Sequence, residues 1–109
     1  METIEKNKLI AEFMGLQTII GVKTISVIKH DQLKLFNPDS DWNWLMEVVE
    51  KIESLGFKSC IENWFCSFDG NSEETESLYF ENKNAPANKI DAVYDACIEF
   101  IKLYNKQKK

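Results

Sequence analysis

The sequence predicts an α+β domain, with helices packed on one antiparallel β-sheet of about five strands in a layered helix–sheet–helix sandwich. Three observations carry that prediction. Two apolar stripes at 3.6-residue period, within 42–55 and 90–104, mark amphipathic helices. Residues 16–36 are rich in β-branched side chains, which suit a pleated surface. The links between apolar runs are mostly short, so neighbouring strands are expected to pair antiparallel.

Taken in order, the first element is a short helix from about Ile4 to Met14. Leu9, Ile10, Phe13 and Met14 have helical spacing, and Gly15 is a natural stop. From Leu16 to Phe36 a hairpin is expected, with Gly21 at a bulge or turn. His30, Asp31 and Gln32 connect it to a short strand, Leu33 to Phe36. Asn37 to Asp41 is a loop in which Ser40 or Asp41 can cap the next helix. That helix runs from Trp42 to Leu55, with Trp42, Leu45, Val48, Val49, Ile52 and Leu55 on its apolar stripe and Gly56 after it.

Phe57 to Phe68 reads as a hairpin turning near Glu62-Asn63. Trp64, Cys66 and Phe68 share one face and Phe65 points to the other. Asp69-Gly70-Asn71-Ser72 is a turn signal, Glu73 to Ser77 an acidic loop, and Leu78 to Phe80 one more strand. A polar loop, 82–87, leads to Asn88. Asn88 caps the last helix, with Asp91 three positions on. Its stripe is Ile90, Val93, Tyr94, Cys97, Phe100, Ile101 and Tyr104. The order is therefore α-ββ-α-βββ-α in a single domain, 1–109.

Composition narrows the function. The net charge of −5, with thirteen lysines and no arginine, has the wrong sign for ordinary DNA or RNA binding. Any bound anion would rest on Lys, backbone N–H groups or helix ends. No apolar stretch approaches the roughly 18 residues of a membrane span, and residues 1–8 lack a signal-peptide core, so the expected compartment is the cytoplasm. Cys60, Cys66 and Cys97 are an odd set without a CxxC pair, which fits neither a disulfide framework nor a zinc site. Cys97 lies on a helical stripe as a small core residue, and Cys60 and Cys66 can approach each other across the hairpin.

The residues predict no enzyme and no cofactor. His30, the one histidine, sits in a polar turn, and no nucleophile elbow, phosphate loop or metalloprotease pattern occurs. Glu73, Glu74 and Glu76 lack the alternating ligands of a calcium loop and read as a solvated acidic segment. The candidate ligand-binding residues are softer. Trp44 falls off the core stripe at a helix N-terminus beside Asn43, where an exposed ring next to free N–H groups could stack a nucleotide base. The alternative is a Trp folded onto the sheet edge. Lys83 and Asn84, with Asn82 and Asn88, form a second polar cluster, or simply a polar loop. Phe65 and Tyr79 lie on the second sheet face. With Ile20 and Ile28 they leave an apolar surface that predicts a homo-oligomer, most simply a dimer.

Three segments carry a family resemblance: Asn7 to Gly15 (NKLIAEFMG), Trp42 to Ile52 (WNWLMEVVEKI) and Ile90 to Asn105. Together they resemble the phage ABA-sandwich domain, a family of small bacteriophage and prophage accessory proteins. The resemblance implies helix–sheet–helix layering and a role in the bacterial host cell. It extends distantly to Thoeris anti-defence sponge proteins, which implies sequestration of a small nucleotide-derived immune signal. Those proteins grip phosphates partly with Arg, which this chain lacks, so no family binding residue is carried over. The alternative role is a protein–protein inhibitor or adaptor, its acidic surface meeting a basic host protein.

Overall fold

A computed structural model describes residues 2–21, 24–62, 65–70, 79–81 and 88–107. It has three helices and two antiparallel sheets, an α+β fold. In chain order these are α1 (Thr3–Met14), β1 (Gln17–Ile20), β2 (Ile25–Lys29), β3 (Gln32–Leu35), α2 (Trp42–Ser54), β4 (Phe57–Glu62), β5 (Phe65–Gly70), β6 (Tyr79–Glu81) and α3 (Lys89–Gln107). Trp64, the 71–78 segment with its acidic residues, and the 82–87 loop with Lys83 and Asn84 lie outside the described residues.

The strands do not join into the single predicted sheet. β1, β2 and β3 form one three-stranded sheet, and β4, β5 and β6 another. Residues 17–35 fold as a self-contained meander, with one strand more than the predicted hairpin. α2 then carries the chain away before β4 begins. α1 packs on β1 and β2, α3 packs on the second sheet, and the helices pack on one another. Contacts among the helices thus connect the two sheets, α1 from the first and α2 and α3 from the second.

Local chemistry explains the boundaries. Gly15 stops α1 in the left-handed region at φ 74°, with its N–H turned back on the last carbonyls of the helix. Gly56, at φ 98°, does the same office just after α2. The Asp41 side chain caps α2 by accepting from the Asn43 N–H at 2.9 Å, and Asn88 Oδ1 accepts from the Asp91 N–H at 3.0 Å. His30 and Asp31 both have positive φ, 53° and 63°. That is the backbone of a type I′ turn, built here without the usual Gly.

Among the described residues, all but one of the buried apolar side chains belong to one cluster drawn from helices and both sheets. Leu45, Val48, Val49 and Ile52 of α2 are fully buried, as are Val93, Cys97, Phe100 and Ile101 of α3. Phe100 sits at the centre of an aromatic group. Its ring is 4.8 Å from Phe57, 5.7 Å from Phe68 and 5.4 Å from Tyr104, the last stacked. One polar chain crosses the core. The Tyr94 hydroxyl donates to Asn7 Oδ1 at 2.7 Å, and Asn7 Nδ2 donates to Asp39 Oδ1 at 2.9 Å. This ties α3, α1 and the loop before α2 together without leaving those buried groups unpaired. Burial, then the negative charge of Asp39 and the neighbouring Cys97, pushes the Tyr94 hydroxyl well above its ordinary pKa.

Cys60 and Cys66 do not meet. Cys60 pairs with Ser67 and Ile61 with Cys66, so the two thiols lie on opposite faces of the second sheet. Cys60 is exposed, Cys66 buried, and no disulfide forms. Burial, with a smaller contribution from Cys60, raises the Cys66 thiol to about 12. No helix among the described residues is long and apolar enough to cross a membrane.

Candidate functional site

The sequence-predicted ligand residues do not converge among the described residues. Trp44 is buried, not exposed. Its Nε1–H donates to the Leu35 carbonyl at 2.9 Å, its ring meets Phe36 edge-on at 4.9 Å, and the Lys29 ammonium lies 5.0 Å from its centroid. Lys29 also pairs with Glu47. Trp42, expected in the core, is 39% exposed instead. Both tryptophans flank the α2 stripe, and the flank of Trp44 is the one that meets the first sheet. Asn43 is exposed, but its backbone N–H is already held by Asp41, whose carboxylate would repel an anionic ligand there. Phe65 is half-buried on the second sheet. Only the backbone of Tyr79 is described, paired with Asp69.

A cleft lies where the last turns of the three helices meet. Its volume is about 250 Å³, and Glu12, Phe13, Lys51, Leu55, Tyr104 and Asn105 line it. Phe13 and Tyr104 meet edge-on at 6.2 Å, with the Lys51 ammonium 5.9 Å from the Phe13 centroid. Helix C-termini carry partial negative charge, so this end favours neutral or cationic groups over a phosphate cluster.

The larger feature is the outer face of the first sheet. Ile25 and Val27 turn inward and are buried. Residues directly opposite on neighbouring strands share a face. Ile28 pairs with Gln17 and Leu33, and Ser26 with Ile19 and Leu35. The outward face is therefore two rows, Gln17–Ile28–Leu33 and Ile19–Ser26–Leu35. Leu33 is 62% exposed, Leu35 53% and Ile19 51%. With half-buried Ile28 they make an apolar surface on the order of 300 Å², at the size where a monomer's surface patch acquires a use.

Sequence reading missed Leu33 and Leu35 although the signal was present. A two-residue turn at His30-Asp31 makes Lys29 pair with Gln32, and hence Ile28 with Leu33 and Ser26 with Leu35. Once Ile25 and Val27 are assigned to the core, that register turns both leucines outward.

No known family, no curated protein and no solved structure matches the chain.

Proposed function

We propose that the chain is a non-catalytic binding protein that docks a protein partner on the outer face of its first sheet, as an inhibitor or adaptor. The observation that carries this reading is the exposed outer face with Ile19, Leu33 and Leu35, on a sheet whose inner face buries Ile25 and Val27 in the core. The chain's net charge of −5 suits a partner with an apolar strip bordered by basic residues, recognised by burial at the centre and charge at the rim. The resemblance to phage ABA-sandwich domains supports a partner in the bacterial host. Photo-crosslinking residues placed at Leu33 and at Lys58, on opposite sheets, test this in host cells. The reading requires one host protein captured from position 33, not from position 58, and lost when Leu35→Glu is added. Equal capture from both positions overturns it.

A second reading, sequestration of a small nucleotide-type ligand, is favoured by the helix-end cleft. Two aromatic rings and one ammonium there suit a planar base, although the volume lies just under the usual range for a whole ligand. Calorimetry against cyclic dinucleotides and cyclic ADP-ribose variants, with Tyr104→Ala as control, tests it. Absence of heat with all of them removes it.

A further inference from the structure

We infer that the outer edge of β1 is a self-association site at which a second copy of this chain adds its own β1, antiparallel about a two-fold axis. The inference does not depend on what binds the sheet's outer face.

Gly21 N–H donates to the Thr24 carbonyl at 2.8 Å. Hydrogen-bonded and non-bonded pairs alternate along an antiparallel ladder. With the observed register, Ile19 and Gln17 bond to β2, whereas Thr18 and Ile20 direct their N–H and C=O groups away from it. Among the described residues nothing receives those outward groups. The other edge of the same sheet is treated differently. Phe36 N–H donates to the Ile25 carbonyl, so by the same alternation Leu33 and Leu35 point outward from β3. There the Leu35 carbonyl is taken by Trp44 Nε1. One edge is stoppered by a tryptophan and the other, among the described residues, is open.

The open edge also lacks the usual protection. Edge strands are ordinarily blunted by charge, proline or a bulge. Residues 15–21 carry no charge and no proline, and β1 pairs with β2 without interruption.

Side-chain exposure points to the same place. Ile19 lies on the outer face and Ile20 on the inner face, beside Ile25, yet each is 51% exposed. Opposite faces rule out a single covering layer. What the two residues share is the edge.

The occupant follows from charge and register. A strand that selects a foreign partner by charge needs charge of its own, and this one has none. Two uncharged strands meet without local repulsion, against the longer-range repulsion of chains that each carry −5 overall. Only one two-fold register uses both outward residues: Thr18 opposite Ile20 of the second copy, and the reverse. It satisfies every outward N–H and C=O of the pair. It places Ile19 against Ile19 of the second copy on the outer face, and Ile20 against Thr18 on the inner face. The three-stranded sheet becomes one of six strands, and its apolar outer face is doubled. A contact between four-residue strands falls below the roughly 800 Å² per partner of a standard interface, so the association is in the micromolar range or weaker.

Sedimentation equilibrium across micromolar to millimolar protein tests this. The expected mass rises with concentration from 12.7 kDa toward twice that value. Thr18→Pro removes an outward N–H that no described residue of the monomer accepts, and Ile19→Lys places like charges on the axis. Each is expected to hold the mass at 12.7 kDa while circular dichroism and melting stay near those of the parent. Mixing Ile19→Lys with Ile19→Glu is expected to restore the dimer, which requires position 19 to face itself. A parent protein that stays at 12.7 kDa throughout overturns the inference. So does a dimer that survives both single variants, or one that Leu33→Glu abolishes while Thr18→Pro does not, because that is stacking of faces. If Thr18→Pro fails to fold, the charge-swap pair decides alone.

Discussion

The two sheets are built to the same plan and finished differently. Each is a three-stranded antiparallel meander with its inner face against helices. The second sheet turns Phe57, Cys66 and Phe68 inward and shows solvent Lys58 opposite Asp69, a cross-strand pair of opposite charge, with exposed Glu62 on the same face. The first turns Ile25 and Val27 inward and shows solvent Ile19, Leu33 and Leu35. The same plan thus shows solvent a charged pair in one half and exposed apolar side chains in the other. Architecture does not separate them. The residues on the outward positions do, and on the first sheet they are apolar.

The largest break in this comparison is in the core behind the second sheet. Phe100→Ala removes the ring that Phe57, Phe68, Phe13 and Tyr104 surround, at 4.8 to 6.0 Å. The expected cost is about 3–5 kcal/mol, read as a drop in the urea midpoint.

Alkaline pH acts on the same region. The Cys66 thiol rises from an ordinary 9.0 to about 12 through burial. Its neutral form is favoured by the fold, so the unfolded chain binds fewer protons than the native one between those values. Stability is therefore full below pH 9 and falls as pH rises toward 12, by up to about 1.4 kcal/mol per pH unit from this thiol. Cys97 and Tyr94 are shifted the same way and add to the fall. Melting curves of Cys66→Ala are expected to lose part of this slope, whereas Leu33→Gln keeps all of it.

Tyr94→Phe sharpens the link between the halves, because it leaves buried Asn7 Oδ1 without its donor. A loss of about 1–3 kcal/mol is expected by chemical denaturation. If the loss is negligible, the polar chain does not tie α1 to α3.

Outward positions of the first sheet lie at the small end. Leu33→Gln is expected to change stability by no more than about 0.5 kcal/mol, since the side chain is 62% exposed, while raising solubility in an ammonium sulfate titration. A large destabilisation would mean that this face packs on something within the chain.

Sequence alone determined the helices with their ends, and the strands except for the division of the first β segment into β1 and β2. The α2 and α3 stripes, the Gly15 and Gly56 stops, the Asp41 and Asn88 caps and the His30-Asp31 connection are local chemistry, decided within a few residues of each position. So was the alternation at 65–68, because a strand has only two faces. What only the tertiary structure decided was which surface met which. Nothing near Trp42 and Trp44 states which flank of α2 the first sheet covers, so their exposures were read in reverse. Whether six strands make one sheet or two depends on where α2 carries the chain, a long-range outcome. The exposure of Ile19, Leu33 and Leu35 depends on register plus a core assignment made elsewhere. Period and caps are properties of a segment. A site is a property of segments brought together, and the free energy that brings them together is burial shared among residues far apart in the chain.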